Sequence, residues 1–467
     1  MAKQEITLQG LDGQLDELIL TSNDETVNGK LEDCARMLFP QDGETTPRLR
    51  FKGFEGEWQK KLLSDCLEIS DEKNTDNIFG IEDVLSVSDE NGVVNQIEHL
   101  GRSYAGKSVS GYKILRPGQI VYTKSPLRAK PYGIVKHNTG KAGIVSVLYA
   151  VYNPKEGVAP EYIHYYFDPA WRLNAYMRPL VNKGAKNTMN ISDETALTGY
   201  IMIPKDIEEQ KRIASFLQRL DDQMKLHQHQ FERLKQLKSA CLDSMFPQNG
   251  GGILPIIRFK GFNGAWITKS FTDIFVFLKN NSLSRADLDV AGTVMNVHYG
   301  DILVKFGDLI DMNKETLPYI KNQPLATTLT ESCRLQNGDI VFADAAEDNT
   351  VGKCAEIMSI DNKDVVSGLH TIPCRPETGM FAEGFLAYCL NAPSFHDQLL
   401  PLIQGTKISS ISKKALSSTF ITYPSDIDEQ RHIASFFRSL DTKILLQTQR
   451  IEKLKQMKAA CLNKMIA

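Results

Sequence analysis

The feature that most restricts this chain is a stretch that occurs twice. IEEQKRIASFLQRLDDQMKLHQHQFERLKQLKSACLDSMF runs from Ile207 to Phe246, and IDEQRHIASFFRSLDTKILLQTQRIEKLKQMKAACLNKMI from Ile427 to Ile466. The offset is 220 (427 − 207) throughout, with no gap. Both copies are rich in good helix formers, and neither contains Gly or Pro. Asp206 and Asp426 sit three residues before Glu209 and Glu429, a spacing that allows reciprocal capping of a helix start. The seam positions alternate four and three apart. They are Ile213, Leu217, Leu220, Met224, His227, Phe231 and Leu234 in the first copy, and Ile433, Phe437, Leu440, Ile444, Gln447, Ile451 and Leu454 in the second. That is a heptad pattern, and it predicts a coiled coil. An ordinary amphipathic core helix would carry a similar stripe. Two matched helices of this length in one chain are better explained by pairing with each other. His227 and Gln447 put polar residues near the middle of the seam, and Lys238 and Lys458 near its end. Leu237 and Met457, beside the lysines, can supply the apolar contact there.

A second repeat accompanies the first. RFKGFEGEW (Arg50–Trp58) matches RFKGFNGAW (Arg258–Trp266). LFPQDG (Leu38–Gly43) echoes MFPQNG (Met245–Gly250), so the chain starts with the tail of a third helix copy. The first thirty or so residues are acidic and polar and predict an arm or a short helical segment. Between the repeats lie two divergent stretches. They share LRPGQIVY (Leu115–Tyr122) and LQNGDIVF (Leu335–Phe342), each a glycine-turned entry into a strand. Gly184 and Lys186 resemble Gly405 and Lys407, and YIMIP and FITYP lead into the helices. Short strands among Gly/Asn loops predict globules that are α+β or mostly β. The expected segments are an N-terminal extension (1–46), a variable domain (47–206), a central helix (207–247), a glycine-rich linker (248–254), a second variable domain (255–426) and a distal helix (427–467).

At 467 residues the chain should hold about two to four domains. Hydrophobic content of 42% and charged content of 24% are those of a soluble globular protein. No apolar run is long enough for a bilayer, and MAKQEITLQG lacks a signal-peptide pattern. The eight cysteines include no CxxC pair, so neither a disulfide framework nor a metal site is expected. These features point to the cytoplasm and to no membrane.

Net charge is −3, but charge is unevenly placed. From His99 to Lys155 there is no Asp or Glu, while Lys, Arg and Tyr are interleaved. Such a stretch suits a phosphate backbone, and a solvated basic face would normally carry acids. The DNA-binding candidates there are Arg102, Tyr104, Lys107, Lys124, Arg128, Lys130, Tyr132, Lys136 and Lys141, with Lys183 and Lys186 further on. In the second domain basic residues are diluted by acids. The candidates are Lys279, His298, Tyr299, Lys305, Asp344 and Lys407. Here a carboxylate in ADAAED (Ala343–Asp348) or HYGD (His298–Asp301) could accept from cytosine N4, although turn carboxylates in solvent would look the same. His137 and His370 read as lone surface histidines. Catalytic motifs are missing. Gly133–Lys141 has the wrong spacing for a phosphate loop, and Asn153-Pro154 is followed by Lys155 rather than by a methyltransferase-type continuation.

The duplicated PKDIEEQKRIASFL and PSDIDEQRHIASFF, the RFKGF…W openings, and the helix ends LKQLKSACLDSMFPQ and LKQMKAACLNKM resemble the specificity (S) subunit of type I restriction-modification systems. GDILVKFGD after HYG resembles one class of target-recognition domain. The resemblance covers nearly the whole chain and implies an α+β fold. Two globular target-recognition domains would be joined by two long helices forming an antiparallel coiled coil, in a pseudo-twofold internal repeat. It implies a non-catalytic subunit that binds double-stranded DNA, each domain reading half of a bipartite site. Two methyltransferase (M) subunits would dock on the helices, and restriction (R) subunits would complete the complex. The chain would hold no cofactor; S-adenosylmethionine, ATP and Mg would sit on those partners. Two other readings compete: a single-chain type II-like restriction-modification enzyme, and a pseudo-symmetric scaffold that binds no DNA.

Overall fold

In a computed structural model of the chain, residues 4–9, 15–20, 45–47, 49–183, 189–247, 253–405 and 407–462 are described. The LFPQDG echo, Gly184, Lys186 and linker residues 248–252 lie outside them. The chain divides into two compact units, 1–228 with 449–467, and 229–448. Each unit therefore takes one stretch from each long helix.

The helices run over Ile207–Ser244 and Ile427–Leu462. Every seam position from Ile213 to Leu234, and from Ile433 to Leu454, is buried or half-buried. Their starts depart from the expected reciprocal cap. Asp206 and Asp426 do cap, accepting from the backbone N–H of Glu208 and Asp428 at 2.8 Å. Glu209 and Glu429 do not turn back to the cap, because each is taken by a distant arginine. Arg50 Nε and Nη2 bind the two Glu209 oxygens at 2.7 Å, and Trp58 Nε1 donates to Oε1 at 3.2 Å. In the second unit Arg258 binds Glu429 in the same fork at 2.5 and 2.6 Å. The next residue acts as a backbone clamp. Gln210 accepts from Ala159 N–H and donates to the Pro204 carbonyl; Gln430 does so with Ala382 and Pro424. The two sequence repeats are thus the two halves of one lock, present once per unit.

The expected apolar cover is met by Met457, which packs half-buried against the core of the first unit, but not by Leu237, which is 47% exposed; both lysines are held by carboxylates. In the first unit Lys458 Nζ binds Asp221 of the central helix at 2.8 Å and Asp168 at 3.0 Å. In the second unit Lys238 Nζ binds Asp441 of the distal helix, and Asp308 at 2.5 Å. A tyrosine completes each group. Tyr165 donates to Asp221 at 3.0 Å and Tyr388 to Asp441 at 2.8 Å. Such paired, hydrogen-bonded charges satisfy one another where a lone lysine would pay for desolvation.

The first unit carries a four-stranded antiparallel sheet in the order Val135–His137, Ile120–Tyr122, Ala150–Pro154, Leu67–Ile69. Helices Pro160–Phe167 and Ala170–Met177 follow it. Its core joins Tyr122, Tyr162 and Phe167 to Leu217 of the central helix and Leu454 of the distal one. The second unit carries a five-stranded sheet, Phe275–Phe277, Thr371–Pro376, Ile340–Ala343, Cys354–Met358, Leu309–Asp311, and a four-stranded sheet built around Val294–Val297. Its core joins Phe342 and Phe385 to Phe437 and Phe246. Gly118 (φ 86°) and Gly338 (φ 85°) make the turns before the matched strands, where a side chain would be strained.

Each variable segment is closed the same way. Gln59–Leu62 pairs antiparallel with Tyr200–Ile203, and Trp266–Ser270 with Phe420–Pro424. The segment therefore enters and leaves on neighbouring strands. The described residues of the N-terminal extension are strands, not the expected arm or helix. Gln4–Gln9 pairs antiparallel with Leu15–Leu20, which pairs in turn with Leu49–Phe51. Apolar residues alternate there (Ile6, Leu8; Leu18, Leu20), which favours strand over helix.

Candidate nucleic-acid interface

The basic window of the first unit is free of acids in sequence but not in space. Lys113 and Lys124 share Asp193. Lys130 binds Asp89 at 2.5 Å, and Lys136 is buried against Asp168 at 2.8 Å. Arg116 forks onto Glu72. Burial alone would raise the Asp168 pKa, yet Lys136, Lys458, His164 and Lys130 together hold it well below the carboxylate range. Asp193 is likewise lowered, burial being outweighed by its two lysines. Both carboxylates are therefore charged near neutral pH, and Lys124, Lys130 and Lys136 are spent inside the fold. Tyr132 is buried. The exposed candidates are Arg102, Tyr104, Lys107, Arg128 and Lys141, with Arg102 stacked over the Tyr104 ring at 4.6 Å. Lys183 lies in the short strand Asn182–Lys183.

The second unit brings separate loops together. His298 caps the helix Tyr299–Val304, its Nδ1 accepting from Gly300 N–H at 3.2 Å. That leaves Nε2 to carry the proton in the neutral ring. Burial, then Arg285, pushes the His298 pKa down, so the neutral form is favoured. Arg285, on another loop, forks onto Asp301 at 2.6 and 2.9 Å. The Tyr299 ring stands edge-on to His370 at 5.3 Å. His370 Nδ1 lies 3.1 Å from Asp344 Oδ1. Two candidates thus meet through a histidine that sequence gave no reason to choose. Ala345–Ala346 pairs with Ser409–Ser410, which brings the segment carrying exposed Lys407 beside Asp344. Lys279 is exposed, and Lys305 donates to the Thr316 carbonyl at 2.6 Å. No helix among the described residues is long and apolar enough to cross a membrane.

Two unlike α+β domains, each closed by repeated segments and each followed by a copy of one long helix, define a two-domain internal repeat with variable middles. The type I restriction modification DNA specificity domain matches residues 55–236 and 263–456, and the chain belongs to that family of DNA-recognition subunits. The fold is similar to the type I restriction-modification S subunit from M. genitalium, at 11% identity over 89% of this chain and 99% of that one, with a TM-score of 0.54. The HsdS subunit from Thermoanaerobacter tengcongensis matches at 16% identity over 88% and 97% of the two chains, with a TM-score of 0.41. No curated protein matches the chain.

Proposed function

We propose that this chain is the sequence-recognition subunit of a type I restriction-modification complex, each variable domain reading one half of a bipartite DNA site. The observation that carries the reading is the strand pairing that closes each variable segment on itself. It supports reading residues 47–206 and 255–426 as modules that can vary within the repeated frame. Exchanging residues 58–204 for those of another family member should change one half-site only. Mapping of methylated adenines in cells carrying the exchange checks this; alteration of both halves would refute it.

The chain is non-catalytic in this reading. Methylation of adenine N6 and cleavage belong to partner subunits that hold S-adenosylmethionine, ATP and Mg. Two identical methyltransferase subunits need two equivalent surfaces. Leu226 and Leu446, 49% and 47% exposed, occupy the same position in the two helix copies and support such docking. The pairs Lys458–Asp221 and Lys238–Asp441 support an antiparallel coiled coil. Such a coil would set the distance between half-sites. From Ile213 to Met245 the seam spans roughly 50 Å at about 1.5 Å per residue. Adding one heptad to both helices, after Met224 and at the matching place in the second, keeps the seam in phase and lengthens it by about 10 Å. The unspecified spacer should grow by roughly three base pairs, at about 3.4 Å each, with both half-sites unchanged. An unchanged spacer in an active insertion variant would remove the helices as the ruler.

A further inference from the structure

We propose that Asp344 and His370 form a base-reading pair that accepts the 4-amino group of one cytosine in the half-site of the second unit. This rests on the DNA-recognition reading above and assigns it an atom. His370 stands at a loop tip just before the strand Thr371–Pro376, with φ at 54°, in the left-handed region that histidine enters more readily than most residues. Two backbone bonds fix the carboxylate's position: Asp344 N–H donates to the His370 carbonyl at 3.0 Å, and Ile411 N–H donates to the Asp344 carbonyl at 2.9 Å. The edge-on Tyr299 ring buttresses the imidazole.

The protonation pattern decides the ligand. Facing a carboxylate at 3.1 Å, His370 Nδ1 carries the proton and donates it, an assignment made from the partner. In the neutral ring Nε2 is then an acceptor. Asp344 Oδ2 has no hydrogen-bond partner among the described residues. With the imidazole neutral, the pair offers acceptors and no donor. Of the major-groove edges, guanine and thymine present acceptors, which it repels. Adenine sets N7, an acceptor, beside its amino group and suits an amide better. Cytosine presents a donor alone and fits. His370 is half exposed and Asp344 a quarter exposed, so both can reach a ligand. In the first unit the position matching Asp344, at offset 220 (344 − 124), is Lys124, which is tied to Asp193. The acceptor pair thus has no counterpart at the matching place in the first unit, where the lysine is taken up by Asp193.

The test uses the chain in complex with its methyltransferase partner and a panel of duplexes varied at each pair of the mapped half-site. In a second panel each cytosine in turn becomes pyrimidin-2-one, which lacks the 4-amino group. Wild-type complex should lose roughly tenfold to hundredfold in affinity at one cytosine. Asp344→Ala should be weakened already and indifferent to that replacement. Asp344→Asn, which exchanges an acceptor for a donor, should move the preference toward adenine at the same position. Wild-type indifference to every missing amino group overturns the proposal, as does a uniform loss across the panel in both variants. If the complex prefers no sequence at all, the recognition reading itself fails; if it does and Asp344 variants keep the cytosine, only this pair does.

Discussion

Replacing Glu209 by Ala is expected to destabilise the first unit by about 3–5 kcal/mol, because it strands a buried guanidinium. Arg50 is 7% exposed and Glu209 1%. Besides the carboxylate, Arg50 reaches, among the described residues, only backbone carbonyls, of Gly56 at 2.6 Å and Glu55 at 3.1 Å. Those bonds leave its charge uncompensated. Removing both charges, as Arg50→Met with Glu209→Leu, should cost much less, since nothing charged remains to desolvate. Glu429→Ala should also cost less than Glu209→Ala. Arg258 is 17% exposed, so water can approach it once its partner is gone. Denaturant unfolding read by tryptophan fluorescence checks the order, with Trp58 bonded to Glu209 as a local probe. A Glu209→Ala loss below about 1 kcal/mol, or a double variant worse than the single, would contradict the role given to this pair.

The stability of the second unit should fall as pH rises from about 4.5 to about 7, and Glu356 should be the cause. Glu356 lies on Cys354–Met358 and is 2% exposed. It accepts from the N–H groups of Gly384 at 2.6 Å and Ala387 at 3.2 Å, at the start of the helix Phe385–Asn391. Burial pushes its pKa from 4.5 up to about 7, and the two N–H groups and Arg438 oppose this only in part. The raised folded pKa means that its stabilising contribution is complete below 4.5 and lost by about 7. In the unfolded chain the carboxyl ionises first and favours that state. At about 1.36 kcal/mol for each pH unit the loss is roughly 3 kcal/mol. Glu356→Gln stays neutral throughout. Wild-type stability minus that of Glu356→Gln should therefore decline across this window and flatten above it. Urea unfolding of both proteins at pH 4.5, 6 and 7.5 measures the difference, and a constant difference would rule Glu356 out.

The inward face of each helix was legible because a period of 3.5 residues is a local property, and seam residues such as Leu217 and Phe437 are buried. The glycine-turned strand entries at Gly118 and Gly338 were legible for the same reason. The repeated Arg and Glu were visible as repeats, but that they touch was not. Arg50 and Glu209 are 159 residues apart, and a capping box three residues long explained Glu209 equally well until the long-range partner was in view. The basic window misled in the same way, since Asp89, Asp168 and Asp193 reach Lys130, Lys136 and Lys124 from outside it.

The duplicated frame, the helical period, the division into two variable segments and the family resemblance are thus written along the chain. These rest on neighbours along the chain or on identity between copies. Which charges remain outward, and which histidine has a partner, follow from the folded arrangement alone. His370 meets Asp344 across 26 residues and Tyr299 across a longer loop, through the sheet that folds between them. Charge pairing depends on distance in space, and a sequence window measures distance only along the chain.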